Sequence, residues 1–216
     1  MKKALKNVLV LLIIGSMLFL LTGCGKKEEE SKKEEKPAEE QKREFSIGKW
    51  EDNVYSNDFL GLKFNLPDDW TRYSDEEIAE IMNIGSDLLE DEQKAASEIA
   101  KLNSAYYMMV SNPNTGDSIA LMSEKSTMDY TTEFYINQLK SQLTSVSSIK
   151  YTVEGTSKEK VGNVECDALT VSATVSGLKT TQRYYVYKID KYFIAIIATS
   201  MTGGETGINE MMANFQ

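Results

Sequence analysis

Tyr184-Tyr185-Val186-Tyr187 and Phe193-Ile194-Ala195-Ile196-Ile197-Ala198 are two runs of aromatic and aliphatic residues separated by Lys188-Ile189-Asp190-Lys191-Tyr192. Side chains of these types fit the pleated surface of a strand, and Asp190-Lys191 supplies the turn of a hairpin. In the second run Phe193, Ala195 and Ile197 point one way while Ile194, Ile196 and Ala198 point the other. A strand apolar on both faces must be covered on both sides. The rest of the folded chain therefore has to supply two layers of cover.

Working outward, the carboxyl-terminal third reads as an antiparallel meander. Strands are expected at 150–155, 159–161, 165–176, 180–189 and 191–200, punctuated by Gly162-Asn163, Ser176-Gly177 and Asp190-Lys191. Ile208, Met211, Met212 and Phe215 then recur at i, i+3, i+4 and i+7, the spacing of a short amphipathic helix that covers part of one face. Upstream, Leu62, Phe64 and Leu66 alternate with Lys63 and Asn65, a strand that pairs with Val54-Tyr55 and ends at Pro67. Trp70 is expected as a core plug under the helix that follows. Ser74-Asp75-Glu76-Glu77 is a capping box opening that helix, with Ile78, Ile81, Met82, Leu88 and Leu89 as its stripe and Gly85 as a possible kink. A second hairpin is expected from 105–110 and 118–124 around Asn112-Pro113-Asn114-Thr115-Gly116-Asp117. Asp129 is the expected cap of a helix over 130–146 carrying Ile136, Leu139, Leu143 and Val146 on one face.

The first 45 residues have a different character. Lys2, Lys3 and Lys6 precede an almost unbroken apolar run from Val8 to Leu21, the layout of an export signal. That run is about 14 residues, short of the ~20 needed to cross a bilayer core as a helix. Leu21-Thr22-Gly23-Cys24 follows it, and here the sequence resembles the bacterial lipoproteins with their lipobox. The resemblance implies cleavage before Cys24 and a diacylglycerol on its thiol, holding the mature chain at the membrane. Residues 1–23 are thus expected to be a signal peptide. Residues 24–45 follow as a charged tether: from Lys26 to Glu44, fifteen of nineteen residues are charged, seven basic and eight acidic. Such a segment has too little apolar surface to offset the entropy of ordering, which marks it as a spacer.

Residues 46–216 remain as the folded domain, and from residue 45 onward 25 acids face 14 bases, a net charge of −11. That balance argues against nucleic acid and anionic membranes as partners of the domain. Histidine is absent from the chain, which removes Ser-His-Asp and Cys-His catalysis and imidazole metal centres. No glycine-rich phosphate loop is present. The four carboxylates between Asp87 and Glu92 lack the alternation of a calcium-binding loop, and the Asn112, Asn114 and Asp117 oxygens belong to a turn-forming connection that needs no metal to explain it. With Cys24 lipidated, Cys166 has no disulfide partner; alternation places it with Val164 and Ala168, as a buried small hydrophobe.

The order of elements, with Gly61-Leu62-Lys63-Phe64-Asn65-Leu66-Pro67-Asp68-Asp69-Trp70 and the hairpin at Tyr192-Phe193-Ile194-Ala195-Ile196, resembles the PsbP-like fold. That resemblance implies an α+β domain, an α/β/α sandwich with a central antiparallel sheet, serving as a binding or assembly module without catalytic residues. The expectation is therefore a non-enzymatic lipoprotein with no cofactor and no metal, on the outer face of the membrane of a Gram-positive cell. Its lipid attachment site is Cys24, its lipobox is Leu21, Thr22 and Gly23, and its partner is a surface protein. The alternatives are a carrier of a small ligand or metal ion, and a hydrolase of cell-envelope polymers using two carboxylates.

Overall fold

The computed structural model describes residues 44–87, 104–146, 149–175 and 177–216. Among these the chain runs β1 (Lys49–Glu51), β2 (Val54–Asn57), β3 (Leu62–Asn65), β4 (Thr71–Arg72), α1 (Asp75–Asp87), β5 (Ser104–Ser111) and β6 (Ser118–Lys125). It continues with α2 (Thr132–Ser145), β7 (Tyr151–Val161), β8 (Val164–Val175), β9 (Leu178–Ile189), β10 (Tyr192–Ser200) and α3 (Gly204–Met212). Seven strands form one antiparallel sheet in the order β4-β5-β6-β10-β9-β8-β7, and β1, β2 and β3 form a small separate sheet.

The two-sided strands lie where their composition requires. In β10, Phe193, Ala195 and Ile197 join one core with Tyr184 and Val186 of β9 and Ala120 and Met122 of β6. Ile194, Ile196 and Ala198 join the other with Tyr185, Tyr187, Ile119 and Leu121. The first core is roofed by Ile78 and Ile81 of α1 and by Tyr135, Ile136, Leu139 and Leu143 of α2. The second is closed by Tyr55, Leu62 and Phe64 of the small sheet together with Ile208 and Met211 of α3. One outer layer is thus helical and the other mixed, giving an α+β fold around an antiparallel sheet. The carboxyl terminus locks the mixed layer: Phe215 packs on Phe64 with ring centres 4.9 Å apart, and Lys63 and Gln216 exchange backbone hydrogen bonds of 3.1 and 2.9 Å.

The capping box forms as the sequence indicates, with Glu77 N–H donating to Ser74 Oγ at 3.3 Å and Ser74 N–H to Glu77 Oε2 at 2.9 Å. The helix passes through Gly85 to Asp87; Leu88 and Leu89 lie outside the described residues. Four expectations need correction. Thr131, not Asp129, caps α2, its side chain accepting from Phe134 N–H, because Asp129 is instead ion-paired with Lys188. The segments expected at 150–155 and 159–161 are one strand, β7, since a bulge at Val153–Gly155 lets it stay paired with β8 throughout. Trp70 is half-buried in the core opposite α1. A turn in which Trp70 N–H donates to Pro67 O at 3.0 Å leaves its ring on the small-sheet side before the chain crosses to β4. The first hairpin gains a third strand, β1, and stands apart from the main sheet.

One buried group breaks the apolar pattern. Glu124 continues the Ala120, Met122 side of β6 into the helix-covered core and is 2% exposed. Tyr135 OH donates to its Oε2 at 3.0 Å, while Oε1 has no hydrogen-bond partner among the described residues. Burial pushes the Glu124 carboxyl up to about 8 against the opposing Tyr135 hydrogen bond, so the native state keeps it neutral where the unfolded chain ionises it.

Two outcomes follow from this packing. Leu121→Ala, at a fully buried position, is expected to lower unfolding free energy in urea by about 2–5 kcal/mol. Stability is also expected to fall as pH rises from about 4.5 to about 8, where the unfolded state releases a proton that native Glu124 retains, and to level off above that. The Glu124 contribution is on the order of 4 kcal/mol over the window. Urea titrations should show Glu124→Gln with a flatter profile across it.

Candidate functional site

The antiparallel ladder between β8 and β9 runs from Val175–Leu178 to Asp167–Val186 and stops there, although β8 begins at Val164 and β9 continues to Ile189. Beyond that point each strand stays with its other neighbour. β8 pairs with β7 to the final Val161–Val164 couple, and β9 pairs with β10 to Ile189–Tyr192. The tips of two hairpins therefore part and leave a cleft of about 680 Å³ between them. Over Val164–Cys166 the edge of β8 that would meet β9 has no strand across from it among the described residues.

Local chemistry holds the walls apart. On the β8 side, Asp167 accepts from Thr132 Oγ1 in the first turn of α2 and from Lys158 Nζ at 2.5 Å. Partial burial raises the Asp167 carboxyl, but the Lys158 and Thr132 hydrogen bonds outweigh it and hold the group below the usual carboxylate range. The β7–β8 turn is fixed by Gly162, which has φ +56°; a Cβ there would lie 2.4 Å from the Gln216 carbonyl carbon. On the β9 side, Tyr187 OH donates to Leu60 O at 3.2 Å, drawing the strand toward the small sheet. Lys188 reaches the chain before α2, donating to Asp129 and, at 2.8 Å, to Tyr130 O.

The cleft is polar and internally compensated. Lys158 is paired with Asp167, and Lys160 with Glu165 at 3.5 Å. A charged guest has to exchange with these pairs. Cys166 lines the cleft but is 2% exposed, and burial, reinforced by the Asp167 charge, pushes its thiol up to about 12. Little thiolate exists at neutral pH, so the reading of Cys166 as a packed small residue beside Ala168 holds. A second groove of about 460 Å³ runs between α2 and β7 and shares Lys158 and Asp167 with the first.

The lipobox residues Leu21, Thr22, Gly23 and Cys24 lie outside the described residues, as does the Asp87–Glu92 run apart from Asp87. The Asn112–Asp117 loop uses its oxygens internally. Asn112 Oδ1 accepts from Asn114 N–H at 2.9 Å, and Asp117 binds Thr115 Oγ1 at 2.9 Å and Met201 N–H at 2.7 Å. No three Cys, Asp or Glu side chains among the described residues form a set that could hold a metal ion.

Sequence reasoning missed the cleft and Glu124. The cleft left no sequence signal, because the residues at 164–167 and 186–189 read as ordinary strand. Glu124 did leave one: an acid in register with Ala120 and Met122 on the inward side of a strand. Also missed was the seating of Phe45, whose ring lies 5.3 Å from those of both Phe59 and Tyr192. The chain thus enters the fold beside the β9–β10 turn, at the same end of the sheet as the cleft.

No family model matches the chain, and no curated protein matches it. Solved structures give distant likenesses. Cyanobacterial PsbP (CyanoP) from Synechocystis sp. PCC 6803 is 8% identical, over 76% of this chain and 90% of that one, with a TM-score of 0.49. LpqN of Mycobacterium tuberculosis, described as involved in cell envelope biogenesis, is 13% identical over 71% and 78%, with a TM-score of 0.41. A Bacteroides thetaiotaomicron VPI-5482 protein is 14% identical with a TM-score of 0.41; the match takes in 73% of this chain and 45% of that one.

Proposed function

We propose that this chain is a lipid-anchored protein of the outer membrane face, in a Gram-positive cell, whose α+β domain binds a surface partner in the cleft where β8 leaves β9. The observation that carries the binding role is the parting itself. A sheet that pairs continuously elsewhere gives up its ladder over Val164–Cys166 and leaves a strand edge beside a cleft of about 680 Å³, a size within the range of binding pockets. Support for the location comes from Leu21-Thr22-Gly23-Cys24 behind an apolar run and from the charged spacer of residues 26–44. A two-chain lipid on Cys24 is a firm anchor, each buried CH₂ contributing about 0.8 kcal/mol.

On this reading the tether would join the domain at Phe45, which packs on Tyr192 beside the β9–β10 turn. The partner is then a protein that lies close to the membrane surface. Binding is non-covalent, consistent with a Cys166 thiol held protonated by burial.

Two experiments test this reading separately. Cys24→Ala is expected to move the protein from the membrane fraction to the medium or to leave it unprocessed; membrane retention at the wild-type level would refute the anchor. With a proximity-labelling enzyme fused after Gln216, a defined set of envelope proteins should be labelled on intact cells. The double variant Lys158→Glu, Lys160→Glu is expected to lose that set, while Lys179→Glu, at the opposite end of the sheet, keeps it. Equal labelling by all three forms rules out the cleft.

A further inference from the structure

Glu124 on β6, Phe193 on β10 and Lys188 on β9 form one cross-strand row, Phe193 being registered with Glu124 on one side and Lys188 on the other. The Lys188 ammonium lies 5.6 Å from the Phe193 ring centre, bonded to Asp129 and Tyr130 O. The Glu124 carboxyl lies at the other end of the row, with Oε1 unpartnered among the described residues. Tyr135 stacks on Phe193 at 4.7 Å, so an acid and a base sit on either side of one aromatic pair.

Among the described residues, the surroundings leave an ionised Glu124 one place to find a counter-charge. Tyr106 approaches from β5 and Tyr135 from α2, with Tyr184 of β9 behind it; each is a phenol held neutral by burial. From α1 come Ile78 and Ile81. The Tyr106 hydroxyl, turned to this face by the register shift between Tyr106 and Met108, is itself buried and unpartnered among the described residues. Lys188 is the cation in the row, and its present partner, Asp129, has a 97% exposed side chain. With Asp129 open to solvent and Lys188 23% exposed, the pair is only partly shielded and is held weakly, whereas a buried unpaired carboxylate is costly. Strands two apart are separated by roughly 10 Å, a span that extended Lys and Glu side chains bridge together.

We propose that ionisation of Glu124 draws Lys188 across Phe193, from Asp129 and Tyr130 O to the buried carboxylate, and so releases the chain that leads into α2. Burial without a counter-charge holds the Glu124 carboxyl at about 8, and the arriving ammonium lowers the pH of the exchange from there. With Glu124 neutral, Lys188 holds Asp129 and Tyr130 O; with Glu124 charged, the proton goes to solvent and the ammonium moves inward. The exchange reaches the cleft because Lys188 lines it and because Thr132, just beyond the released segment, holds Asp167 in its wall. As a regulator of binding it rests on the cleft reading; as a switch it stands without it.

The test uses the full chain labelled with ¹⁵N-lysine, following the buried carboxylic acid band by infrared spectroscopy and the Lys188 Nζ resonance by NMR from pH 6 to 10. The acid band is expected to disappear and the Lys188 signal to shift with one shared midpoint, below the value of about 8 that burial alone would set. Glu124→Gln, the neutral isostere, should abolish both changes. Lys188→Met should move the carboxyl midpoint up by about one pH unit or more, a tenfold loss of acidity. A Lys188 signal that ignores the Glu124 titration, or a carboxyl midpoint unchanged by Lys188→Met, overturns the exchange. Neither readout involves a partner, so labelling that ignores the cleft variants would sink the binding site and leave these results standing.

Discussion

Ile194 and Ile196 on one side of β10, and Phe193, Ala195 and Ile197 on the other, share a backbone that water cannot be allowed to reach from either direction. Each such side chain contributes about 1.5–3 kcal/mol when fully buried, and the same holds for the alternating residues of β6 and β9 beside it. The demand for cover on both faces explains the helices α1 and α2 above the sheet. It also explains why β1–β3, α3 and the carboxyl-terminal residues are gathered below it. At the cleft end the cover is kept without the pairing: Cys166, Val186 and Tyr187 stay buried where β8 and β9 part.

Most of the layering was legible because periodicity records burial. Strand β10, the hairpin of β5 and β6, the capping box at Ser74 and the inward face of α2 all follow from alternation or 3.6-residue spacing. Where local rules competed, the outcome depended on contacts distant in sequence. Asp129 is a good cap by type, but Lys188, 59 residues away, takes it as an ion-pair partner and leaves the cap to Thr131. Lys150–Val161 holds glycine and polar residues that look like a break between strands, yet β8 alongside carries it through a bulge. The cleft was illegible for a related reason. Whether two strands part depends on what pulls each of them, here Thr132 and Lys158 on Asp167 against Leu60 on Tyr187, and Thr132 and Leu60 lie 35 and 127 residues from their partners.

On the proposed reading, function is divided between the two halves of the chain. The leader and spacer would address the protein and set its distance from the membrane, while the domain offers a strand edge and two ion pairs, Lys158–Asp167 and Lys160–Glu165, beside the cleft. Lys188 lines the cleft and shares a cross-strand row with Glu124, the buried acid under the helices among the described residues; the proposed exchange would link the two. The pairs Lys158–Asp167 and Lys160–Glu165 balance charge in the cleft wall of an otherwise acidic domain.

The central claim is that the β8–β9 cleft is the surface that meets the partner. It is tested most directly by placing a photoreactive amino acid at Val164, on the unpaired edge of β8, and irradiating intact cells, with the same residue at Asn114 at the opposite end of the sheet as reference. The account predicts a discrete cross-linked adduct from position 164 and none from position 114. Adducts from position 114 with none from position 164 would contradict it.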